Sequence, residues 1–139
     1  MHDLNHELEK SARRVFKLFF GSRLHKQRGD RGICMSECLG VDITMDFHGR
    51  KRLSLIVDRS TVESMKERLG ARDNYGADAD YDIIGEMANI IAGSAVSARD
   101  GEVCLSVPRR ACLEEGDLPP ATMRFSSPMG LFAIAVEPA

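Results

Sequence analysis

The chain has 139 residues, 43% of them hydrophobic and 29% charged, the mix of one soluble globular domain spanning residues 1–139. Nineteen Lys and Arg against 21 Asp and Glu leave a formal net charge of −2, which excludes a protein that holds nucleic acid chiefly through bulk positive charge. The longest apolar run, Leu131 to Val136, falls well short of a bilayer span, and Met1-His2-Asp3-Leu4-Asn5-His6-Glu7 has no basic flank leading into an apolar stretch. No membrane segment and no signal peptide are expected, and the cytoplasm is the expected location.

The first predicted element is an amphipathic helix over residues 4–20. Leu4, Leu8, Ala12, Val15, Phe16 and Phe19 recur at three- and four-residue steps, with Glu7, Lys10, Arg13, Arg14 and Lys17 on the other side. Gly21 is its expected stop. Basic residues continue through Arg23, Lys26, Arg28 and Arg31, but without interleaved aromatics and diluted by Glu7, Glu9 and Asp30. They read as a solvated face, not a nucleic-acid surface.

The period then changes to two. Val41, Ile43, Met45 and Phe47 alternate with Asp42, Thr44, Asp46 and His48, the pattern of a strand buried on one face. Gly49 falls where a hairpin should turn, and Leu53 to Val57 is the returning strand. Ser60 with Glu63 three residues later reads as a capping box opening a helix that Gly70 closes. Residues 71–80 read as an acidic loop. Its Asp and Asn spacing does not make a calcium site, because Tyr75 and Ala77 stand where oxygen ligands are needed. The acids instead suit the N-terminus of a following helix, Tyr81 to Ala98. Glu102 to Val107 reads as a strand, residues 109–120 as a polar connection, and Met123–Phe125 with Leu131–Val136 as a closing strand pair. The unbroken apolar character of Leu131 to Val136 marks a central strand. The expected fold class is α+β, with helices packed on a mostly antiparallel sheet.

Cys34, Cys38, Cys104 and Cys112 are expected to be free thiols in the core, and Met35, Met45, Met65, Met87 and Met123 to be core fillers. Cys34 and Cys38 are not spaced as a zinc knuckle and His2, His6, His25 and His48 are scattered, so no metal site is expected.

The segment richest in chemistry is Asp82-Ile83-Ile84-Gly85-Glu86-Met87-Ala88-Asn89-Ile90-Ile91-Ala92-Gly93. At about 100° per residue, Asp82, Glu86, Asn89 and Gly93 fall along one stripe, while Ile83, Ile84, Met87, Ile90 and Ile91 take the opposite side. The small residues Gly85, Ala88, Ala92 and Gly93 flank that stripe. A glycine inside a helix costs about 0.5–1 kcal/mol relative to alanine. Two of them here imply either tight internal packing or a partner that approaches the backbone.

The run Asp82-x-x-x-Glu86-x-x-Asn89, followed by Gly93 and later by Pro108, resembles the signature of the CheC/CheX/FliY chemotaxis phosphatases. The order of elements follows that family over almost the whole chain. The motif occurs once, as in CheX and unlike the two-site CheC pattern; the N-terminal helix offers Glu9 and Arg13 but no Glu-x-x-Asn. The resemblance implies hydrolysis of the aspartyl phosphate on a phosphorylated CheY-like response regulator. The chain would need no cofactor of its own, and Mg²⁺ is expected on the partner. Glu86 would pair with the regulator's active-site lysine and Asn89 would position the attacking water. Gly85, Ala88 and Gly93 would let the helix enter the regulator's cleft, and Asp82 would either touch the partner or serve as a first-turn acid. A homodimer is also implied, with the edge near residues 102–112 as its expected interface. The alternatives are a non-catalytic CheX-like module that binds a receiver domain or signalling partner, and a scaffolding protein.

Overall fold

The computed structural model describes residues 4–27, 35–46, 49–70, 77–97, 104–111, 113 and 122–139. In chain order these form α1 (Leu4–Phe20), β1 (His25–Lys26), a turn of 3-10 helix (Met35–Glu37), β2 (Cys38–Asp46), β3 (Arg50–Asp58), α2 (Arg59–Arg68), α3 (Ala77–Ser97), β4 (Arg109–Arg110), β5 (Met123–Ser127) and β6 (Gly130–Pro138). The strands make one antiparallel sheet in the order β1-β5-β6-β3-β2-β4, so the fold class is α+β as the pattern predicts.

Alternation decides which face of the sheet is covered. Val41, Ile43 and Met45 of β2 stand opposite Arg110, Leu53 and Lys51, and with Leu53, Leu55 and Val57 of β3 and Phe132 and Ile134 of β6 they join the core that α1 and α3 cover. Phe16 of α1 stacks on Phe132 with ring centroids 4.5 Å apart, and Phe132 stacks in turn on Phe125 at 5.0 Å. β6 lies between β3 and β5, and on its other face Ala133 packs with Cys38, Ile56 and Leu113. A strand buried on both sides explains its unbroken apolar run. Gly49 connects β2 to β3 with φ +104°, a conformation that L side chains rarely adopt.

Several expectations need correction. The cap of α2 is Asp58, not Ser60: Asp58 Oδ1 accepts from the Thr61 backbone N–H at 2.8 Å and from the Thr61 and Ser60 hydroxyls at 2.6 and 2.9 Å. A carboxylate two residues upstream collects three donors, so the helix starts two residues earlier than the capping box suggests. α3 begins at Ala77, not Tyr81, which places Asp78 and Asp80 in its first turn; residues 71–76 of the expected loop lie outside the described residues. β1, invisible in the pattern, pairs His25 and Lys26 with Ser126 and Phe125. Cys104, expected in the core, is exposed, whereas Cys38 is buried; neither is in a disulfide. Cys34 and Cys112 lie outside the described residues. Met45, Met65, Met87 and Met123 are core residues as expected, and the Met35 side chain lies outside what is described.

α3 is held from two sides. Ile84, Met87, Ala88, Ile91, Ala92 and Ala95 are buried, and each large side chain among them contributes about 1.5–3 kcal/mol, more than the glycines cost. The Ser11 hydroxyl of α1 donates to the Ile91 carbonyl at 2.7 Å, inside the core. On the α2 side, Lys66 Nζ lies 3.0 Å from Asp80 Oδ1 and 3.4 Å from Glu63 Oε1. The hydrogen bond to Asp80 is the main reason the Lys66 pKa is raised, against the opposing effect of burial. No described helix is long and apolar enough to cross a membrane.

Candidate functional site

The candidate stripe of α3 lies where the helical period puts it. Asp82 and Glu86 are exposed and Asn89 is half-buried. From Asp82 to Glu86 and then to Asn89 the helix rises about 6 Å and then about 4.5 Å, so the three side chains line one strip. They form one wall of an open cleft of about 390 Å³, together with Asp78, Tyr81 and Gly85. Val41 of β2 also lines it, and the opposite wall is Val107 to Arg110.

The chain enters that opposite wall through the stretch expected to be a regular strand from Glu102 to Val107. Residues 102 and 103 lie outside the described residues, and Leu105 makes only an isolated bridge to Met45. Regular pairing appears instead at β4, within the expected polar connection, where Arg109 and Arg110 face Asp42 and Val41. Ser106, Val107 and Pro108 thus span what Ile43 and Thr44 span on β2. The extra residue is a bulge. Its cause is chemical: Pro108 has no N–H to donate to a ladder. The Thr44 N–H donates instead to the Ser106 hydroxyl at 2.9 Å, while the Ser106 N–H donates to the Thr44 carbonyl at 2.9 Å.

The bulge sets which side chains face α3. Leu105, Pro108 and Arg110 all do: a Cβ on Gly93 would stand 3.9 Å from Leu105 and one on Gly85 would stand 3.1 Å from Pro108, and the Arg110 guanidinium lies 4.3 Å from the Tyr81 ring centroid and pairs with the Asp78 carboxylate. Val107 is left 79% exposed at the rim.

The candidate site residues therefore separate. Glu86, Asn89 and Asp82 come together on the cleft. Glu86 has no ion-pair partner among the described residues, and Asp82 sits in the second helical turn, too far along to be a cap. Gly85 also lines the cleft, but it is buried and the space a side chain would fill is taken by Pro108. Its glycine is accounted for by internal packing. Gly93 is half-buried beneath Leu105 and does not line the cleft. Ala88 and Ala92 are core residues rather than open flanks of the stripe. Arg110, Tyr81 and Asp78 belong to the cleft and were missed. Asp78 and Arg110 fell in segments read as loops, and Tyr81 read only as the start of a helix.

No histidine, cysteine or serine is among the described residues lining the cleft. Its functional groups include the exposed carboxylates of Asp82 and Glu86, which can take a cation, the exposed guanidinium groups of Arg109 and Arg110, and the half-buried Asn89 carboxamide, which both donates and accepts without ionising. Such a set can orient water and a partner's charge; it does not supply a strong nucleophile or base.

No protein-family model matches this sequence, and no curated protein matches it. Solved structures do. The fold is similar to that of the chemotaxis protein CheX from Vibrio vulnificus, with 24% identity and a TM-score of 0.68 over 98% of this chain and 97% of that one. The CheX–CheY–BeF3–Mg²⁺ complex from Borrelia burgdorferi matches with 14% identity and a TM-score of 0.69, covering 96% of each chain. FliY of Thermotoga maritima matches with 14% identity and a TM-score of 0.61, covering 98% of this chain and 86% of that one. This chain has the fold of the CheX, CheC-like and FliY chemotaxis proteins.

Proposed function

We propose that the protein is a phosphatase acting on the aspartyl phosphate of a CheY-like response regulator. The observation that carries this reading is the exposed Glu86 carboxylate and the Asn89 amide lining one open cleft on a CheX-type fold. A CheX structural neighbour was solved with CheY, BeF3 and Mg²⁺, which supports a receiver domain as the partner class.

The reaction asks little of such a site. An acyl phosphate hydrolyses unaided: water oxygen bonds to phosphorus as the bond from phosphorus to the aspartyl oxygen breaks, releasing aspartate and inorganic phosphate. The regulator brings its own Mg²⁺ and lysine, so the phosphatase adds positioning. Asn89 accepts a hydrogen bond from the attacking water and donates one to the phosphoryl side, holding the water in line. Glu86 pairs with the regulator's lysine and fixes the register of α3 in the partner's active site, a charge-assisted bond of about 1.5–3 kcal/mol. Asp82, one turn away, adds a further contact beside that lysine. A homodimer belongs to the same proposal, and sedimentation at micromolar concentration tests it.

The test is the lifetime of a phosphorylated CheY-type receiver with and without this protein. Acceleration is expected, lost in Asn89→Ala, with Glu86→Ala weakening both binding and turnover. A receiver that binds tightly while its phosphoryl lifetime stays unchanged would make the protein a binding module instead.

A further inference from the structure

The cleft has a polar tie between its walls, and its position along α3 has a consequence. Arg110 reaches from β4 to the first turns of α3, pairing with the Asp78 carboxylate and lying over the Tyr81 ring at 4.3 Å. One and a half turns further along, Gly85 meets Pro108. The walls are thus joined at two points, one polar and one apolar. Glu86 projects next to the apolar point, and Asn89 lies beyond it.

We propose that Arg110 is a positioning residue that sets the width of the cleft at the end where the regulator docks. This rests on the phosphatase reading above. Tyr81 lies about 7.5 Å along the helix from Glu86 but about 12 Å from Asn89. Between the tie and Asn89 stands the Gly85–Pro108 contact, which holds the walls together by packing alone. Loss of the tie therefore loosens the end from Asp78 to Asp82, up to the Gly85–Pro108 contact that Glu86 borders, and leaves the Asn89 end in place. Docking weakens, and the step at phosphorus continues at its own rate once the regulator is bound. The tie is separate from the core: the Arg110 and Asp78 side chains are 53% and 91% exposed, so removing it leaves a folded protein.

The experiment pairs Arg110→Ala with Tyr81→Leu, which keeps the apolar body of Tyr81 against the core, and their double mutant. Two readouts are taken on a CheY-type receiver: phosphoryl decay against phosphatase concentration, and binding of the receiver loaded with Mg²⁺ and BeF3. Arg110→Ala is expected to raise the half-saturating concentration and the dissociation constant about 5–10-fold, with the saturated decay rate within twofold of wild type. Arg110→Lys, which keeps the charge, is expected to recover most of the loss. The double mutant is expected to resemble Arg110→Ala alone, because both changes cut one tie. Effects that multiply would mean that Arg110 touches the regulator directly, and would overturn the proposal, as would an unchanged dissociation constant or a fall in the saturated rate. Wild-type binding with no acceleration of decay sinks the phosphatase reading alone, since the binding cycle still reports on Arg110; no binding sinks both.

Discussion

The two walls of the cleft are built on different physics. α3 is 21 residues long, and a period of 3.6 fixes the side on which each residue falls. Its core side, Ile84, Met87, Ile91 and Ala95, and its open side, Asp82 and Glu86, follow from that period alone. The facing wall, Val107 to Arg110, belongs to a segment from Cys104 to Ala111 that contains a strand of only two residues. Its path depends on pairing with β2, some sixty residues earlier in the chain, and on a bulge around Pro108. A helix explains itself locally; an edge strand is explained by its neighbour. The chemistry of the site therefore stands on the predictable wall and its shape on the other.

Four changes sharpen that contrast. The largest effect is expected from Asn89→Ala on the helical wall: the acceleration of receiver dephosphorylation falls about 100-fold with the half-saturating concentration unchanged, as a decay series at varied phosphatase concentration would show. Next comes Gly85→Val, which forces a branched side chain into the 3.1 Å approach to Pro108. Overpacking of this kind costs about 1–3 kcal/mol, read as a lower midpoint in urea; an unchanged midpoint would mean the edge wall yields freely and the walls are not truly joined there. Gly93→Ala has the opposite sign. The nearest side-chain atom is 3.9 Å from the new Cβ, so the helix gains about 0.5–1 kcal/mol and the midpoint rises.

The last change is read against pH and concerns Lys66, which anchors α3 to α2. Its folded pKa lies above the ordinary lysine value, chiefly through Asp80. A raised cationic pKa contributes stability that is complete below the unfolded value and is lost as pH rises through the folded one. Urea midpoints against pH should therefore fall more steeply on the alkaline side in the wild type than in Lys66→Met. Parallel curves would remove the Asp80 contact from the account of what holds the helix.

What could be read in advance follows the same division. The alternation from Val41 to Met45, the turn at Gly49 and the unbroken run of β6 each declare their surroundings within a few residues, so the sheet's centre was legible. The stripe of Asp82, Glu86 and Asn89 was legible for the same reason. Gly85 was not: its neighbour is Pro108, and nothing near residue 85 announces a proline folded back from the sheet edge. The acids before Tyr81 were placed near the helix dipole correctly but one turn outside the helix, because Ala77 to Asp80 carry no apolar period. Asp58 captured the cap of α2 because a carboxylate collects three donors where a serine takes fewer, a competition that spacing rules do not weigh.

The thin attachment of the edge wall has one more consequence. Backbone bonds from Asp46, Ser106 and Ala111 to Cys104, Thr44 and Gly40 secure it along β2, while the large core side chains lie elsewhere. Substitutions at the exposed positions Val107 and Arg109 can therefore accumulate with little penalty to folding and reshape the rim of the cleft, whereas Leu105 and Pro108 are fixed by their packing against α3.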